Sequence, residues 1–560
     1  MNKKKLHSLP VIVIVAMLLT MLAGCAPAVT TVAPTTTGTE ATTAPTTVST
    51  EIKLPLTDTP VTISMFKPIN RAEADFNNNA IWKEISTRTG INFTWECPTT
   101  DTSAARLTLI LASKQYPDVM FLSAGGATAS YPGGPEVGVD EGVLIDLKPL
   151  METEAPLYWN YLSSNKAALR DATTDKGYLP LVYQIYQKDT NVNVGLWCNV
   201  VRGDWLKDLS LEVPQTIADW HTVLTAFKEE KGATFALPWM LGNNPIWAQA
   251  YGIGMMPFSA MGPAGVNQFY PGADGKIKFG GIEQGFQDYM VTLSQWYDEG
   301  LFDRDFTTRG VFDLPTAAKL IGTGQSGVTG GFLAWSGMYM GANAGAETPD
   351  PDFELTACPD PVLNKGDKAT VIANYAEFLG KDAMAITSAC KNPELVMQLV
   401  NYLSSPEGQT LVTFGIEGDT YTLVDGKPTF TDKILKDTMG AYDAREVLIS
   451  AIMPIDNSTY ITDVMKQTLN AKVLEDAKIP ADSVDIKYMY YSLNEDEASE
   501  FSDIMGDINT YVAENYAKAV MDPAVAAKWM EVQGAKLKEM GIERAIEICQ
   551  GAWDRYLAKG

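Results

Sequence analysis

Histidine is scarce in this sequence, and its scarcity limits the chemistry that the protein can perform. Only 2 of the 560 residues are histidine, and one of them, His7, lies close to the N-terminus. His221 flanks the apolar stripe of a helix-like stretch, TIADWHTVLTAFKEE, in which Thr216 and Asp219 form a predicted capping box. A catalytic triad needs a histidine beside its nucleophile, and a multi-histidine metal site needs several. We therefore expect neither, and we interpret His221 as a structural residue.

Cysteine is too sparse to define a disulfide-bonded framework. The chain has 6 cysteines and no C-x-x-C pair. Apart from Cys25, five remain, and they are widely spaced and odd in number, so at most two bridges are possible and a zinc site is not expected. These five are Cys97, Cys198, Cys358, Cys390 and Cys549.

Sequence motifs for nucleotide binding and nucleophilic catalysis are also missing. GTGQSG places Gly322, Gly324 and Gly327 in a G-x-G-x-x-G pattern, but a dinucleotide-binding fingerprint follows a strand and opens a helix. Here the pattern follows a helix-like stretch and precedes a strand-like one, so it predicts the end of a helix and a turn. No P-loop, G-x-S-x-G sequence or EF-hand loop occurs.

The chain also lacks an excess of positive charge and, beyond its N-terminus, a long apolar run. The formal net charge is −25, which argues against nucleic acid or an anionic polymer as the main partner. The stretch YGIGMMPFSAMGPAGV is interrupted by glycine and proline, whereas a membrane-spanning helix needs about 20 apolar residues. With 46% hydrophobic residues, the chain is long enough for two or three globular cores.

What the N-terminus does contain is the three parts of a secretory leader. Three lysines follow Met1-Asn2, an apolar run extends from Leu9 to Met21, and the small residues Ala23 and Gly24 precede Cys25. The sequence LAGC resembles the lipobox of bacterial lipoproteins, which implies cleavage after residue 24 and a diacylglyceryl group on Cys25. Two acyl chains are enough for stable anchoring. The alternative is a plain leader that happens to contain a cysteine.

A threonine- and proline-rich segment follows the cysteine. Residues 26–50 contain one charged residue, Glu40, and no large apolar side chain except valine. Such a composition cannot build a core, so we expect a disordered tether. We therefore divide the chain into a leader (1–24), a lipidated cysteine with its tether (25–57) and a folded domain (58–560).

The start of the folded domain alternates between strand and helix patterns. VTISMFK, INFTWEC and YPDVMFLSAGG are strand-like, and AIWKEISTRTG and AARLTLILASK between them are helix-like, with Gly90 as a helix stop. Such alternation predicts an α/β fold with parallel strands. Ligands bind beyond the carboxyl ends of such strands, which makes Phe66, Asn78 and Ser123 candidate ligand-binding residues.

Several stretches, spread from about residue 60 to the C-terminus, resemble the family 1 extracellular solute-binding proteins of bacterial ABC importers. The resemblance is to the long lipoprotein branch associated with oligosaccharide and polysaccharide uptake. The blocks that carry it are TLILASKQYPDVMF, GVLIDLKPLMETEAP, VVRGDWLKDLSLEVPQTIADWHTVLTAFKE, LSQWYDEGLFDRDF and AITSACKNPELVMQLVNYLSSPEGQTLVTFGIEGDTYTLVDGKPTF.

The resemblance implies a two-lobed periplasmic-binding-protein-like fold of type II with a helical C-terminal region. Its lobes are discontinuous and joined by hinge crossovers. By analogy, lobe one comprises about 58–185 and 355–405, and lobe two comprises about 186–354 and 406–560. The ligand lies between the lobes, and hinge closure around it is the implied mechanism.

The resemblance also implies the partners and the location of the protein. They are an oligosaccharide or similar small solute, the permease subunits of an ABC transporter, and a cell membrane contacted only through the lipid anchor. We expect a monomer facing the cell exterior, with no enzymatic activity, cofactor, metal or nucleic-acid partner. Some relatives carry a calcium-binding loop after AFKE, but AFKEEKGATFALPW lacks the six to eight oxygen ligands that calcium needs.

Aromatic residues in loop-like settings are the other candidate ligand-binding residues. Aromatic rings suit the C–H faces of sugars, and amide, carboxylate and hydroxyl groups suit their rims. The candidates are Tyr183, Tyr186, Trp239, Trp247, Trp335 and Tyr375. Four other tryptophans have helical spacing or lie at helix starts and are predicted to be core, namely Trp82, Trp205, Trp220 and Trp296. Arg202 and Asp204 are predicted either to contact the ligand or to form a buried ion pair.

Two alternative functions remain open from the sequence. With 68 aspartate and glutamate residues, a pair of carboxylates at the spacing of a glycoside hydrolase is possible, so a secreted carbohydrate-active enzyme is one alternative. The other is a binding protein that presents its ligand to a sensor kinase instead of a permease.

Overall fold

The structure is a computed structural model of the chain, which falls into two compact units, Met1–Ser49 and Thr50–Gly560. The leader, Cys25 and most of the tether lie outside the residues that it describes. The described residues are 52–69, 74–123, 129–186, 197–234, 245–254, 268–308, 314–372, 379–437, 439–450, 452, 454–456, 484–486 and 493–559.

A six-stranded mixed sheet organises the first part of the fold. Its strand order is β14-β4-β11-β3-β1-β2, in which β11 runs antiparallel to its two neighbours and the other pairings are parallel. The predicted parallel arrangement of the first three strands is confirmed. The strands are β1 (Val61–Phe66), β2 (Ile91–Glu96), β3 (Val119–Ser123), β4 (Val182–Tyr186), β11 (Leu379–Ile386) and β14 (Ile455–Asp456).

The first helix shows how local sequence sets the elements of this layer. Helix α1 (Ala80–Thr89) buries Trp82 and Ile85 against the sheet, and the Asn79 side chain accepts hydrogen bonds from the first backbone N–H groups. Gly90 ends the helix at φ +76°, and an added Cβ would lie 2.4 Å from the Thr57 carbonyl oxygen. Only glycine tolerates both conditions, so the predicted helix stop is confirmed.

A second, three-stranded sheet separates two hydrophobic cores. It consists of β8 (Val328–Phe332), β5 (Trp197–Arg202) and β9 (Leu355–Cys358) in that order, with β5 antiparallel to both neighbours. Because paired residues share a face, Val200 and Ala357 lie on the side of the first core, and Val201 and Val328 lie on the side of the second.

The chain passes between the two sheets twice. It leaves the six-stranded sheet after β4 and enters the three-stranded sheet at β5, and it returns between β9 and β11; after β14 it leaves the six-stranded sheet for the C-terminal region. Strand β10 (Thr370–Ile372), in the second passage, pairs in parallel with β15 (Val484–Ile486), which follows β14. Two antiparallel hairpins complete the strands: β6 (Phe269–Pro271) with β7 (Ile277–Phe279), and β12 (Tyr421–Val424) with β13 (Lys427–Phe430).

Helices cover both sheets and dominate the C-terminal region, as predicted. After α1 they are α2 (Thr100–Ser113), α3 (Pro135–Asp140), α4 (Lys148–Glu154), α5 (Pro156–Ser164), α6 (Lys166–Ala172), α7 (Gly203–Asp208), α8 (Ile217–Glu230), α9 (Pro245–Gln249), α10 (Gln284–Asp298), α11 (Leu314–Gly322), α12 (Ser336–Ala344), α13 (Pro393–Leu403), α14 (Pro406–Phe414), α15 (Asp432–Leu435), α16 (Ala441–Ile449), α17 (Glu495–Met521), α18 (Pro523–Ala527), α19 (Ala535–Glu539) and α20 (Ile542–Ala558). Short turns of other helix types lie at Gly280–Ile282, Leu333–Trp335 and Met530–Gly534.

Three hydrophobic clusters give the described chain its cores. The first surrounds the six-stranded sheet, the second contains α8, α10 and one face of the three-stranded sheet, and the third joins β6 and β7 to α17 and α20. The first cluster includes side chains of residues 411–455, which we predict in lobe two. Strand β9, which we predict in lobe one, belongs to the three-stranded sheet and contributes Leu355 and Ala357 to the first cluster. The lobe boundaries stay a prediction.

No helix in the described part of the chain combines the length and the apolar run required to cross a bilayer.

Candidate functional site

The carboxyl ends of five strands meet at one edge of the six-stranded sheet. Strands β1, β2, β3, β4 and β14 run in the same direction and end there at Phe66, Glu96, Ser123, Tyr186 and Asp456. Strand β11 runs the opposite way and begins at this edge, where Leu379 lies opposite Ile185. We call this the carboxyl edge, and it is where ligands bind in sheets of this kind.

Hydrogen bonds fix the end of β3 at the carboxyl edge. The backbone N–H of Ser123 donates to the Ala129 carbonyl at 2.9 Å, and the Ser130 hydroxyl donates to the Ser123 carbonyl at 2.9 Å. Beside them, the Lys67 ammonium lies 4.7 Å from the centre of the Phe121 ring, within cation–π range. The edge thus offers hydroxyl groups and a cation whose charge is partly engaged.

The ends of β4 and β14 add an amide and a carboxylate. Asp456, which pairs with Tyr186, is 2% exposed, and its Oδ2 accepts a hydrogen bond from Gln184 Nε2 at 2.8 Å. An added Cβ on Gly380 would lie 3.0 Å from the Gln184 side chain, so the neighbouring strand packs closely here. Tyr186 is half-buried, which leaves part of the side chain at the surface of this edge.

The three-stranded sheet contributes an aromatic and an acidic side chain near the crossings. The chain enters β5 at Trp197, opposite the end of β8, and Trp335 follows β8 as a half-buried residue packed against the first core. Asp360 lies two residues beyond β9. It is half-buried by surface area, and burial raises the pKa of its carboxyl to about 7. A carboxyl with such a pKa is partly protonated near neutrality, so it can either donate or accept a hydrogen bond.

Of the predicted ligand-binding residues, Ser123 and Tyr186 end two strands at the carboxyl edge, where Ser123 is 6% exposed and Tyr186 half-buried, and Trp335 follows the second sheet. Phe66 and Tyr183 are buried in the first core, and the backbone N–H and carbonyl of Tyr183 are both bonded to the hydroxyl of Tyr158. These two side chains therefore have packing roles in this conformation.

The remaining candidates are Trp247 in the second core, Asn78 in the loop after β1, and two residues outside the described part of the chain. Trp247 is 1% exposed and packs in the second core against Trp220 and Trp296, with ring centroids 4.5 and 5.2 Å away. Asn78 is exposed, and its amide donates to Asp75 at 2.7 Å. Trp239 and Tyr375 lie outside the described residues.

Sequence reasoning missed Gln184, Asp456, Asp360 and Lys67. Gln184 lies two positions before Tyr186 in β4, so the two side chains share one face of the strand, and this alternation was a usable signal. The residues around Asp456 and Asp360 in the sequence form no pattern that indicates a binding site. Strand pairing places Asp456 opposite Tyr186, and Asp360 follows the paired strand β9.

Arg202 and Asp204 form the buried ion pair that was one of the two predicted outcomes. Arg202 donates through Nε and Nη2 to the two oxygens of Asp204 at 2.8 and 2.5 Å, and Nη2 also bonds Asp350. The guanidinium lies 4.5 Å from the ring centres of both Trp205 and Phe353. With 2% of its side chain exposed, Arg202 has a structural role.

The other core predictions are confirmed. Trp82, Trp205, Trp220 and Trp296 are each less than a tenth exposed. Thr216 and Asp219 form the reciprocal capping box of α8, and His221 bonds Glu299 at 2.5 Å between two helices. The GTGQSG stretch ends α11 and turns into β8, with Gly324 at φ +71°.

Two sheets joined by two crossings, with polar and aromatic groups at the edges near those crossings, define a receptor of the two-lobed solute-binding class. The sequence profile of the bacterial extracellular solute-binding proteins matches residues 74–410, and the chain belongs to that family.

Individual relatives agree with this assignment. The chain is 23% identical over 420 residues to the lipoprotein LipO of Bacillus subtilis, covering 73% of this chain and 76% of LipO. It is 22% identical over 511 residues to the fructooligosaccharide ABC transporter substrate-binding protein FusA of Streptococcus pneumoniae, covering 86% and 88% of the two chains.

Solved structures confirm the predicted two-lobed fold. The alginate-binding protein AlgQ2, in a calcium-free crystal structure, superposes with a TM-score of 0.69 at 22% identity, covering 89% of this chain and 99% of that one. FusA of S. pneumoniae in complex with kestose superposes with a TM-score of 0.66 at 18% identity, covering 89% and 100%.

Metal ligands do not cluster in the part of the chain that the structure describes: no three His, Cys, Asp or Glu side chains there are arranged to hold an ion. The stretch AFKEEKGATFALPW, in which we predicted no calcium site, is described only as far as Thr234.

Proposed function

We propose that this protein is a lipid-anchored extracellular receptor that captures an oligosaccharide between its lobes and delivers it to an ABC permease. The observation that supports the proposal is the grouping of Tyr186, Gln184 and Asp456 at the carboxyl edge, in a fold shared with FusA bound to kestose; Ser123, at the end of β3, is a further proposed contact. The name of FusA also specifies a fructooligosaccharide.

The chemistry of the carboxyl edge suits a sugar. The Tyr186 ring offers a flat face for C–H groups, and the Gln184 amide is a partner for hydroxyl groups. Trp335, which packs against the first core, is a further proposed contact, as are Trp239 and Tyr375. Closure follows when a ligand binds both lobes at once and so favours the closed state.

Binding is tested by titrating the purified mature protein with kestose and with a panel of other oligosaccharides in a calorimeter. We expect one site per chain and no sugar breakdown in the recovered mixture. Ligand at 100-fold its Kd raises the free energy of unfolding by about 2.7 kcal/mol. Turnover of the sugar would instead favour the secreted-enzyme alternative, and the absence of binding across the panel would refute the carbohydrate assignment.

The site is tested by Tyr186→Ala, with Tyr178→Ala as its control. Both tyrosines are half-buried, but Tyr178 lies before the start of β4 and bonds Asp140 at 3.4 Å, away from the carboxyl edge. Loss of an aromatic platform should weaken sugar binding about tenfold or more. Equal affinity in the two variants would refute the proposed place of binding.

The lipid anchor is tested by Cys25→Ser, with Cys97→Ser as its control. We expect the first variant to leave the membrane fraction and the second to remain there, because an acylated Cys25 would be the anchor. Membrane retention of both variants would refute lipidation at Cys25. Loss of labelled sugar uptake in cells that lack the protein would support delivery to a permease, whereas normal uptake would favour a sensor partner.

A further inference from the structure

The C-terminal helix contacts elements of two of the hydrophobic cores, one of them through polar and cation–π contacts. Helix α20 packs its apolar face in the third core, with Ile548, Ala552 and Trp553 buried. Its last turn lies against α6 and the loop after it, and α6 packs in the first core through Ala168 and Ala172. Contacts between these two elements therefore link the C-terminal region to the six-stranded sheet.

Tyr556 forms the first half of this link. Its hydroxyl donates to Asp171 Oδ1 at 2.5 Å and accepts from Arg170 Nη2 at 2.8 Å. The Arg170 guanidinium also lies 4.6 Å from the centre of the Tyr556 ring. One side chain of α20 is thus held by a carboxylate and a cation of α6.

Asp175 forms the second half, with cations from the end of α20. Its two oxygens meet Arg555 Nε at 3.0 Å and Lys559 Nζ at 2.7 Å, and Lys559 also donates to the Thr173 carbonyl at 2.9 Å. Arg555 is anchored on its own side by Glu497 of α17, at 2.8 and 2.6 Å. The four side chains form a row of alternating charge in which each contacts the next, in the order Glu497, Arg555, Asp175, Lys559.

The two halves of the link differ in burial. The side chains of Arg555, Asp175 and Lys559 are 37%, 27% and 18% exposed, whereas Tyr556 is 5% exposed and the Asp171 side chain 6%. Partly exposed ion pairs contribute modestly to the free energy of a folded arrangement, and salt screens them. The apolar packing within each core is not screened in this way. A partly exposed ion pair can form and break as the lobes move, without unfolding either one.

We propose that Arg170, Asp171, Asp175, Arg555, Tyr556 and Lys559 form an electrostatic clasp that favours the lobe arrangement seen here and thereby sets ligand affinity. The effect on affinity rests on the proposed function; the effect on lobe arrangement does not. The equilibrium between two lobe arrangements shifts by the difference in contact free energy between them. One ion pair of this exposure changes the equilibrium constant up to about fivefold.

The clasp is tested with Asp175→Asn in the full mature protein. This change removes the carboxylate that meets both Arg555 and Lys559 and leaves the Arg555–Glu497 pair intact. The control is Arg544→Gln, also on α20, which breaks a pair with Glu500 at 2.8 Å on α17 within the C-terminal region. Small-angle X-ray scattering of the ligand-free proteins at about 20 mM and about 500 mM salt measures the lobe arrangement across the screening range.

We expect the Asp175→Asn scattering curve at low salt to match that of the wild type at high salt, and Arg544→Gln to follow the wild type at both. Asp175→Glu, which keeps the charge, should restore the wild-type curve. Sugar affinity in Asp175→Asn should change about two- to fivefold. Scattering by Asp175→Asn identical to the wild type at both salts overturns the clasp. If no sugar binds, the proposed function is refuted, but the scattering comparison still tests whether the clasp affects the lobe arrangement.

Discussion

Replacing Arg202 by methionine tests whether the buried ion cluster of the three-stranded sheet is a structural element. Methionine keeps most of the side-chain length between the Trp205 and Phe353 rings but removes the charge. Asp204, with 10% of its side chain exposed, would lose its bidentate partner and keep only the Glu354 backbone N–H at 3.2 Å. Asp350 is 40% exposed, so water can replace the arginine there.

The expected loss follows from leaving Asp204 buried without its counter-charge. Removing one partner of a buried pair costs about 3–5 kcal/mol, whereas replacing both partners by well-packed neutral groups is often close to neutral. Loss of the two cation–π contacts adds about 1 kcal/mol. We therefore expect Arg202→Met to lower the free energy of unfolding by about 4 kcal/mol. Adding Asp204→Asn should recover about half of this loss, because the buried charge is then gone.

Urea unfolding followed by circular dichroism measures these changes, with Lys207→Met as the control. Lys207, on α7, pairs with Glu354, but its side chain is 61% exposed, so its loss should cost under about 1 kcal/mol. A cost for Arg202→Met no larger than that of the control would refute the structural role. A double variant less stable than Arg202→Met would refute the explanation by an unpaired buried charge.

Two further predictions concern the second core and the crossing after β9. Trp247→Ala should lower the free energy of unfolding by about 3–5 kcal/mol, whereas Trp247→Phe should cost much less, since the indole N–H is buried and has no hydrogen-bond partner among the described residues. Denaturant unfolding of both variants checks this, and a small loss in Trp247→Ala would contradict core packing. Burial raises the pKa of Asp360 to about 7, above the ~3.9 of an unfolded chain. The free energy of unfolding should therefore be highest below about pH 4, where the carboxyl is protonated in both states, and should fall as the pH rises to about 7. Asp360→Asn should remove this fall and be about 1–2 kcal/mol more stable than the wild type at pH 8, after allowance for its partial exposure; parallel pH profiles of unfolding would contradict it.

The candidate site shows where prediction from sequence reached its limit. Ser123 and Tyr186 were both predicted as ligand-binding residues, Ser123 because it ends a strand and Tyr186 because it is an aromatic residue in a loop-like setting. The strand order places both at one edge of the sheet. Trp247 was predicted as a ligand-binding residue because glycine and proline surround it in the sequence. The same surroundings are compatible with an indole that packs against Trp220 and Trp296, as this one does. Asp360 acquires its raised pKa only from burial, which neighbouring residues in the sequence do not reveal.

The sequence by itself determined the local elements, because helix caps, glycine stops and apolar periodicity act over a few residues. Asn79, Gly90, Thr216 and Gly324 mark element ends as their residue types require. It also determined the family, because matching blocks recur in order along most of the chain. Tertiary structure alone decided which strands are neighbours, where 411–455 packs, and that Arg555 meets Asp175 across 380 residues of sequence. Such contacts depend on burial and on chain crossings between sheets, and no local pattern encodes them.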